Sequence, residues 1–218
     1  MKIKGLESSL VNARFALLEQ QCSDGYWSGQ LSSSALSTAT AIQALYLVDP
    51  ENSRDLIEAG LRWLVANQNS DGGWGDTTNS FSNLSTTLLA WSALGFSDSS
   101  TLNRVRLKTS EQSAEQWIAD HVGSLDPERI ADAATARYGK DKTFSAPILM
   151  MCAIAGKLGD GPMAWRRVAP LPFELAVMPR SLFGILRLPV VSYALPALIA
   201  IGYARFRHLP PFSPLRMI

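Results

Sequence analysis

QQCSDGYW (residues 20–27) returns 47 residues later as NQNSDGGW (residues 67–74). Superimposing the copies sets Leu17 on Leu64, Gln21 on Gln68, Ser23 on Ser70, Asp24 on Asp71, Gly25 on Gly72 and Trp27 on Trp74. Each copy reads Gln-x-x-x-Gly-x-Trp straight after an amphipathic run. A polar loop follows, then a stretch rich in small and hydroxyl residues: SSALSTATAIQALYLV over 33–48 and SNLSTTLLAWSALG over 82–95. A third, degraded copy opens at TSEQSAEQWIADHVGS (109–124), where Trp117 takes the place of Trp63 and the Gln and Gly-x-Trp are gone. A fixed period of this size is the signature of a repeat architecture.

The repeating elements read as helices. In NSRDLIEAGLRWLVANQ, Ile57, Leu61, Leu64 and Val65 recur at the spacing of one helical face, with Asn52 or Ser53 available as a cap and Gly72 just beyond the end. SLDPERIADAATARYG offers Asp126 as a cap, Pro127 at the first helical position and Gly139 as the stop. No segment sustains an alternation of period two. The helix before each motif carries charge on one face, as an outer helix would. The helix after it is mostly Ala, Ser, Thr and Leu, which permits burial on most sides, as an inner helix needs. Stacked pairs of this kind close into two concentric layers. The expected fold is therefore all-α, an α/α toroid forming part of an α6-α6-type barrel.

The motif itself has a physical reading. One helix ends in unpaired carbonyls and the next begins with unpaired amides. A Gln side chain holds a donor and an acceptor, so one residue can serve both. Gly permits the left-handed turn out of the helix, and Trp folds back to shield the bonds from water. On this reading Gln21, Gly25 and Trp27 form one clamp and Gln68, Gly72 and Trp74 another, both structural in role.

Composition bounds the class. The 218 residues are 47% hydrophobic and 18% charged, enough for a real core and too polar for a bundle of membrane spans. Cys22 and Cys152 stand far apart, outside any ligand spacing, which argues against a disulfide scaffold or zinc ribbon and for a reducing compartment. MKIKGLESSLVNARFALLEQ reads as a charged amphipathic helix rather than a secretory signal. The longest chargeless run, residues 188–204, has 17 residues interrupted by Pro196. That is short of the roughly 20 a spanning helix needs.

Charge divides the chain. Residues 161–218 hold seven Arg and no Lys against Glu174 alone, a balance of +6 that leaves −5 for residues 1–160. The chain accordingly reads as a repeat region over 1–160 and a basic, apolar segment over 161–218. The second continues the toroid and faces a membrane or a further domain. Its arginines flank apolar stretches, which suits an anionic membrane surface better than nucleic acid; a solvated rim is the equal alternative. The expected location is cytoplasmic, peripheral on the membrane. The ending, RFRHLPPFSPLRMI, carries no capping signal and reads as a linker.

Two copies of Gln-x-x-x-Gly-x-Trp behind an aromatic-aliphatic helix, LRWLVANQNSDGGWGD, resemble the repeat of the squalene–hopene and oxidosqualene cyclases, the class II triterpene cyclases. The resemblance runs through most of the chain: LLEQQCSDGYWSGQL looks like the family's opening, and GPMAWRRVAPLPFELAVMP like a segment beside the substrate cavity. It covers the N-terminal third of those longer enzymes. It implies Trp165 as a cavity-lining residue, Pro170 near the substrate entrance and Tyr193 as a further lining aromatic. Ordinary packing, or an interfacial anchor beside Arg166 and Arg167, is the other reading of Trp165, and core packing that of Tyr193.

Class II cyclases protonate an alkene or epoxide with the middle Asp of Asp-x-Asp-Asp, and no two Asp are adjacent in this chain. Asp24, Asp71, Asp76, Asp126 and Asp132 read as turn, cap or surface residues, so no catalytic residue is assigned. His121 and His208 form no constellation with either Cys, so neither zinc nor another cofactor is expected. Ser37-Thr38 and Ser85-Thr86-Thr87 read as caps or inner-helix hydroxyls. The resemblance implies the N-terminal part of an acid-initiated cyclase of a squalene-like isoprenoid, inactive alone. The acid would come from a C-terminal cyclase domain or a separate chain. The alternative is a non-catalytic module that binds a partner chain or an isoprenoid at a membrane surface.

Overall fold

In the computed structural model, the described residues are 5–29, 31–97, 104–139, 141–171, 173–179, 181 and 195–210. They are all-α. In chain order the helices are α1 (Leu6–Glu19), α2 (Ala35–Val48), α3 (Arg54–Ala66), α4 (Leu84–Leu94), α5 (Arg104–Val122), α6 (Pro127–Tyr138), α7 (Lys142–Ile154), α8 (Gly161–Arg166) and α9 (Leu195–His208), with a 3-10 turn over Phe173–Val177 between the last two. No strand occurs among the described residues, and Gln21 and Trp27 form an isolated antiparallel bridge. The chain divides into a unit over Met1–Ser33 and a unit over Ser34–Ile218.

The first unit holds α1 and the turn behind it. Leu6, Leu10, Val11, Phe15, Leu17 and Leu18 are all exposed on α1. The second unit is built around α4. Ten of its eleven residues, Ser85 to Leu94, are buried, as its sequence of small, hydroxyl and Leu side chains permits. Asn83 caps it by accepting from the Thr86 backbone N–H at 3.0 Å. Helix α4 packs against α2, α5 and α7; α2 also packs on α3, and α6 on α7. The core joins Ile42, Leu61, Leu64, Trp74, Leu88, Ile118, Ile130 and Leu149.

Helix α3 buries Ile57, Leu61 and Leu64, with Val65 only half-buried beside them. Ser53 sits at its cap position without a side-chain bond. Asn52 instead turns back, donating its backbone and side-chain N–H groups to Asp49 at 3.2 and 2.7 Å. Helix α2 departs from the inner-helix expectation, burying only Ala35, Ala39, Ile42 and Gln43. Helix α6 starts at Asp126, which accepts from the Glu128 N–H at 2.8 Å, and continues into Pro127. The degraded third copy is one helix, α5, that begins five residues before the copy, at Arg104.

Helix α9 lies on α7 and α8, and Arg205 donates its Nε–H to the Val168 carbonyl at 2.7 Å. Among the described residues no helix is long and apolar enough to cross a membrane.

Candidate functional site

The repeated motifs fold into one hydrogen-bond plan. In the copy behind α3, the chain turns as the Gly72 N–H bonds the Asn69 carbonyl at 2.9 Å and the Asn69 N–H bonds the Gly73 carbonyl at 3.0 Å. Gly72 stands at φ +92°, the left-handed region that glycine enters without strain. Gln68 donates Nε2–H to the Gly72 carbonyl at 2.7 Å, closing the turn. The Trp74 indole N–H reaches back to the Leu64 carbonyl at 2.9 Å. Trp74 is 1% exposed, so that bond satisfies a helix-end carbonyl away from water.

This differs from the sequence reading in one respect. The end of α3 is closed by the Trp, not the Gln. The Gln spends its remaining capacity on another helix: Gln68 donates Nε2–H to the Ser110 carbonyl at 2.9 Å, and the Ser110 hydroxyl donates to Gln68 Oε1 at 2.7 Å. Gln68 thus ties its own turn to α5 rather than to the amides opening α4. Those are served by Asn83, while the Trp74 N–H donates to Thr87 Oγ1 at 3.0 Å.

Asp71 belongs to the same assembly. Its carboxylate accepts from Ser82 Oγ at 2.7 Å, from the Gly73 N–H at 3.0 Å and from the Trp117 indole at 3.1 Å. Partial burial pushes its pKa up, but the bonds from Ser82, Gly73 and Trp117 prevail and hold it below the usual value. Trp117 is stacked on His121 at 3.8 Å between ring centroids. Sequence reasoning placed Asp71 in a turn and Trp117 in the degraded third copy without joining them. The bond spans 46 residues, and only the degraded third copy hinted that α5 belongs to the repeat.

The copy behind α1 repeats the local bonds. Gln21 donates Nε2–H to the Gly25 carbonyl at 2.7 Å, and the Trp27 indole donates to the Leu17 carbonyl at 2.7 Å. The turn bonds match too, Gly25 N–H to the Cys22 carbonyl at 2.9 Å and Cys22 N–H to the Tyr26 carbonyl at 2.8 Å. Gly25 stands at φ +84°. Trp27 is 46% exposed, against 1% for Trp74.

Of the residues assigned to a substrate cavity, Trp165 and Pro170 are among the described residues. Trp165 is 5% exposed, and its indole lies flat on the His208 ring, 4.3 Å between centroids and 2° from parallel. That geometry is packing of α8 against the last turn of α9. Pro170 is exposed, and Tyr193 lies outside the described residues. A shallow cleft open to solvent lies elsewhere, between Tyr46, Pro50, Arg54, Ile57, Glu58, Leu61 and Phe96.

Two of the Asp side chains are held in their charged form. Asp76 accepts from Thr86 Oγ1 at 2.6 Å and Asn83 Nδ2 at 2.8 Å, and those bonds, with Arg137 nearby, lower its pKa. Asp71 and Asp76 are therefore held as carboxylates at neutral pH, the wrong state for donating a proton. Asp126 caps α6. The Ser85 hydroxyl lies 2.7 Å from the Tyr138 hydroxyl, so no base stands beside it. No group of three or more His, Cys, Asp or Glu suited to a metal occurs among the described residues.

Residues 10–125, which include both motifs, match the squalene-hopene cyclase N-terminal domain. The chain belongs to the squalene–hopene cyclase family. It is also 30% identical over 178 residues to the alpha-onocerin synthase LCD of Lycopodium clavatum, an alignment covering 78% of this chain and 20% of that protein. The chain thus spans about a fifth of the length of the curated relative it matches. No solved structure matches it significantly. In this cyclase-family chain the second motif-bearing turn ties α3 to α5.

Proposed function

We propose that this chain serves as the N-terminal part of a squalene–hopene-type terpene cyclase, acting in acid-initiated cyclisation of a squalene-like isoprenoid. The observation that carries this reading is the match to the family's N-terminal domain over residues 10–125, within which both Gln-x-x-x-Gly-x-Trp turns share the Gln-to-Gly and Trp-to-Leu bonds. The name of the relative, an onocerin synthase, supports a triterpenoid product class. The protonating acid would come from Asp-x-Asp-Asp in a C-terminal cyclase domain or a separate chain, because no two Asp are adjacent here. In that assembly the substrate reaches the enzyme from a bilayer, with the chain peripheral on the cytoplasmic face. Its basic balance over residues 161–218 supports an anionic surface. Trp165, Pro170 and Tyr193 would border the cavity only once it is completed, Trp165 through the α8–α9 packing.

The absence of adjacent Asp also favours a second reading, a non-catalytic helical module that binds a partner chain or an isoprenoid at a membrane surface. One experiment separates them. Membranes containing this chain are incubated with squalene or oxidosqualene, alone and with a polypeptide carrying Asp-x-Asp-Asp and further repeats. Products are read by mass spectrometry. The cyclase reading expects cyclised product only in the combined incubation. Product from the lone chain contradicts the assignment of the acid elsewhere, and no product in either incubation favours the module.

A further inference from the structure

Two short stretches are laid against each other where α8 meets α9: Trp165-Arg166-Arg167-Val168, at the end of α8, and Arg205-Phe206-Arg207-His208, the last turn of α9. Two contacts set their register. The Trp165 indole lies flat on the His208 ring, 4.3 Å between centroids, and Arg205 donates Nε–H to the Val168 carbonyl at 2.7 Å. Gly202 lets α9 approach this closely, since a Cβ there would stand 2.7 Å from the Leu171 carbonyl oxygen and 2.9 Å from the Phe173 Cβ. Every one of these contacts lies within the Ser34–Ile218 unit.

The packing gathers four guanidinium groups and an imidazole and brings no carboxylate with them. None of the four Arg forms an ion pair among the described residues. Asp160 and Glu174, the nearest acids in sequence, are exposed and pair with none of them. Arg167 donates Nη1–H to the Met163 carbonyl at 3.2 Å, which leaves its Nε–H shielded from water with no acceptor among the described residues. Arg166 and Arg207 are exposed and bond to none of those residues. The carbonyl ends of α8 and α9 offset at most about half a charge each against these four.

Like charges held this close repel, and a shielded guanidinium N–H without an acceptor is costly. A multivalent oxyanion relieves both at once. Its several oxygens accept from more than one guanidinium, and the planar fork of Arg matches phosphate geometry in a way that a lone carboxylate, with less charge, does not equal. We propose that the junction of α8 and α9 binds a phosphate group through Arg166, Arg167, Arg205 and Arg207. Two sources carry that chemistry, the headgroup of an anionic lipid and a free phosphate compound. The site goes beyond the cyclase reading and does not rest on it, because its binding is measured without any isoprenoid.

The test uses the full chain in two arms. Inorganic pyrophosphate is titrated by calorimetry, and vesicles of phosphatidylcholine with and without phosphatidic acid are assayed by co-sedimentation. Expected is saturable binding of pyrophosphate, which names a free phosphate, or binding confined to the phosphatidic acid vesicles, which names a lipid headgroup. Arg166→Gln with Arg207→Gln, whose side chains hold no bond among the described residues, should weaken that binding about tenfold at an unchanged unfolding midpoint. Arg167→Gln with Arg205→Gln should abolish it. Arg104→Gln with Arg106→Gln removes the same charge from α5 and should leave the affinity within about twofold, as screening confines the effect to nearby charges. Absence of saturable binding in both arms would overturn the site. So would binding that the Arg166–Arg207 pair of substitutions leaves unchanged, or that the α5 pair weakens equally.

Discussion

Gln68 and Ser110 hold each other by two bonds, amide to carbonyl at 2.9 Å and hydroxyl to amide oxygen at 2.7 Å. The residues are 42 positions apart, so this exchange joins the turn after α3 to α5 rather than bracing either helix alone. It sets the consequences of altering each latch.

Gly72→Ala forces an L side chain into φ +92° and drives its Cβ against the Ser113 carbonyl. The backbone strain alone costs about 1–2 kcal/mol, and the collision adds a further ~1 kcal/mol or more as α5 shifts. Gly25→Ala, at φ +84° with open space around it, carries the same backbone strain of about 1–2 kcal/mol without the collision. Urea unfolding of the two variants measures the difference, and equal losses would show that α5 is not seated on Gly72.

Trp74→Phe removes the donor to the Leu64 carbonyl inside a fully buried site. An unpaired buried carbonyl together with the lost ring volume predicts a loss of about 2–4 kcal/mol. Trp27→Phe deletes the matching bond to Leu17 at an indole that is 46% exposed, where water can take over the carbonyl. A loss under about 1 kcal/mol is expected there, read as the shift in denaturation midpoint at constant slope.

Acid should loosen the second latch. The folded-state pKa of Asp71 is depressed, its bonds from Ser82, Gly73 and Trp117 outweighing the opposing effect of burial. A depressed carboxylate contributes stability that is present above its unfolded pKa, about 3.9, and is lost as pH falls through the lower folded value. The wild type therefore loses this contribution progressively below about pH 4, whereas Asp71→Asn, already without it, shows a shallower decline. The group is solvent-exposed, so the effect is modest. Parallel stability–pH curves for the two proteins would rule it out.

Cys152 is buried against Ser92, and burial pushes its thiol up to about 11. It should stay unreactive toward a disulfide reagent in the native protein and react only on unfolding. Cys22 is half-buried and should react natively. A native titer of one thiol and a denatured titer of two is the expected result; two native thiols would mean that α4 and α7 open readily.

The local part of this structure was legible because its signals are local. The Gln-x-x-x-Gly-x-Trp spacing fixes a turn whose bonds span four and ten residues, the Ile57–Leu61–Leu64 stripe defines the buried face of α3, and Asp126-Pro127 opens α6. What could not be read was the long-range half of each bond set. Ser110 looks like any serine on a polar helix, and nothing in its neighbours names Gln68 as its partner. Asp71 resembles a turn residue because it is one, yet its second oxygen is spoken for by Trp117. Trp165 was read as pocket or packing from the same proline-bounded segment. Only the stacking on His208, more than 40 residues away, shows the packing.

Gln68 ties its turn to the neighbouring helix, and a double-mutant cycle on Gln68→Ala and Ser110→Ala measures that tie directly. Two reciprocal bonds in a half-buried setting predict a coupling energy of about 1–2 kcal/mol, with the double variant less destabilised than the sum of the singles. Additivity within about 0.3 kcal/mol would mean the two side chains act independently and would contradict the latch.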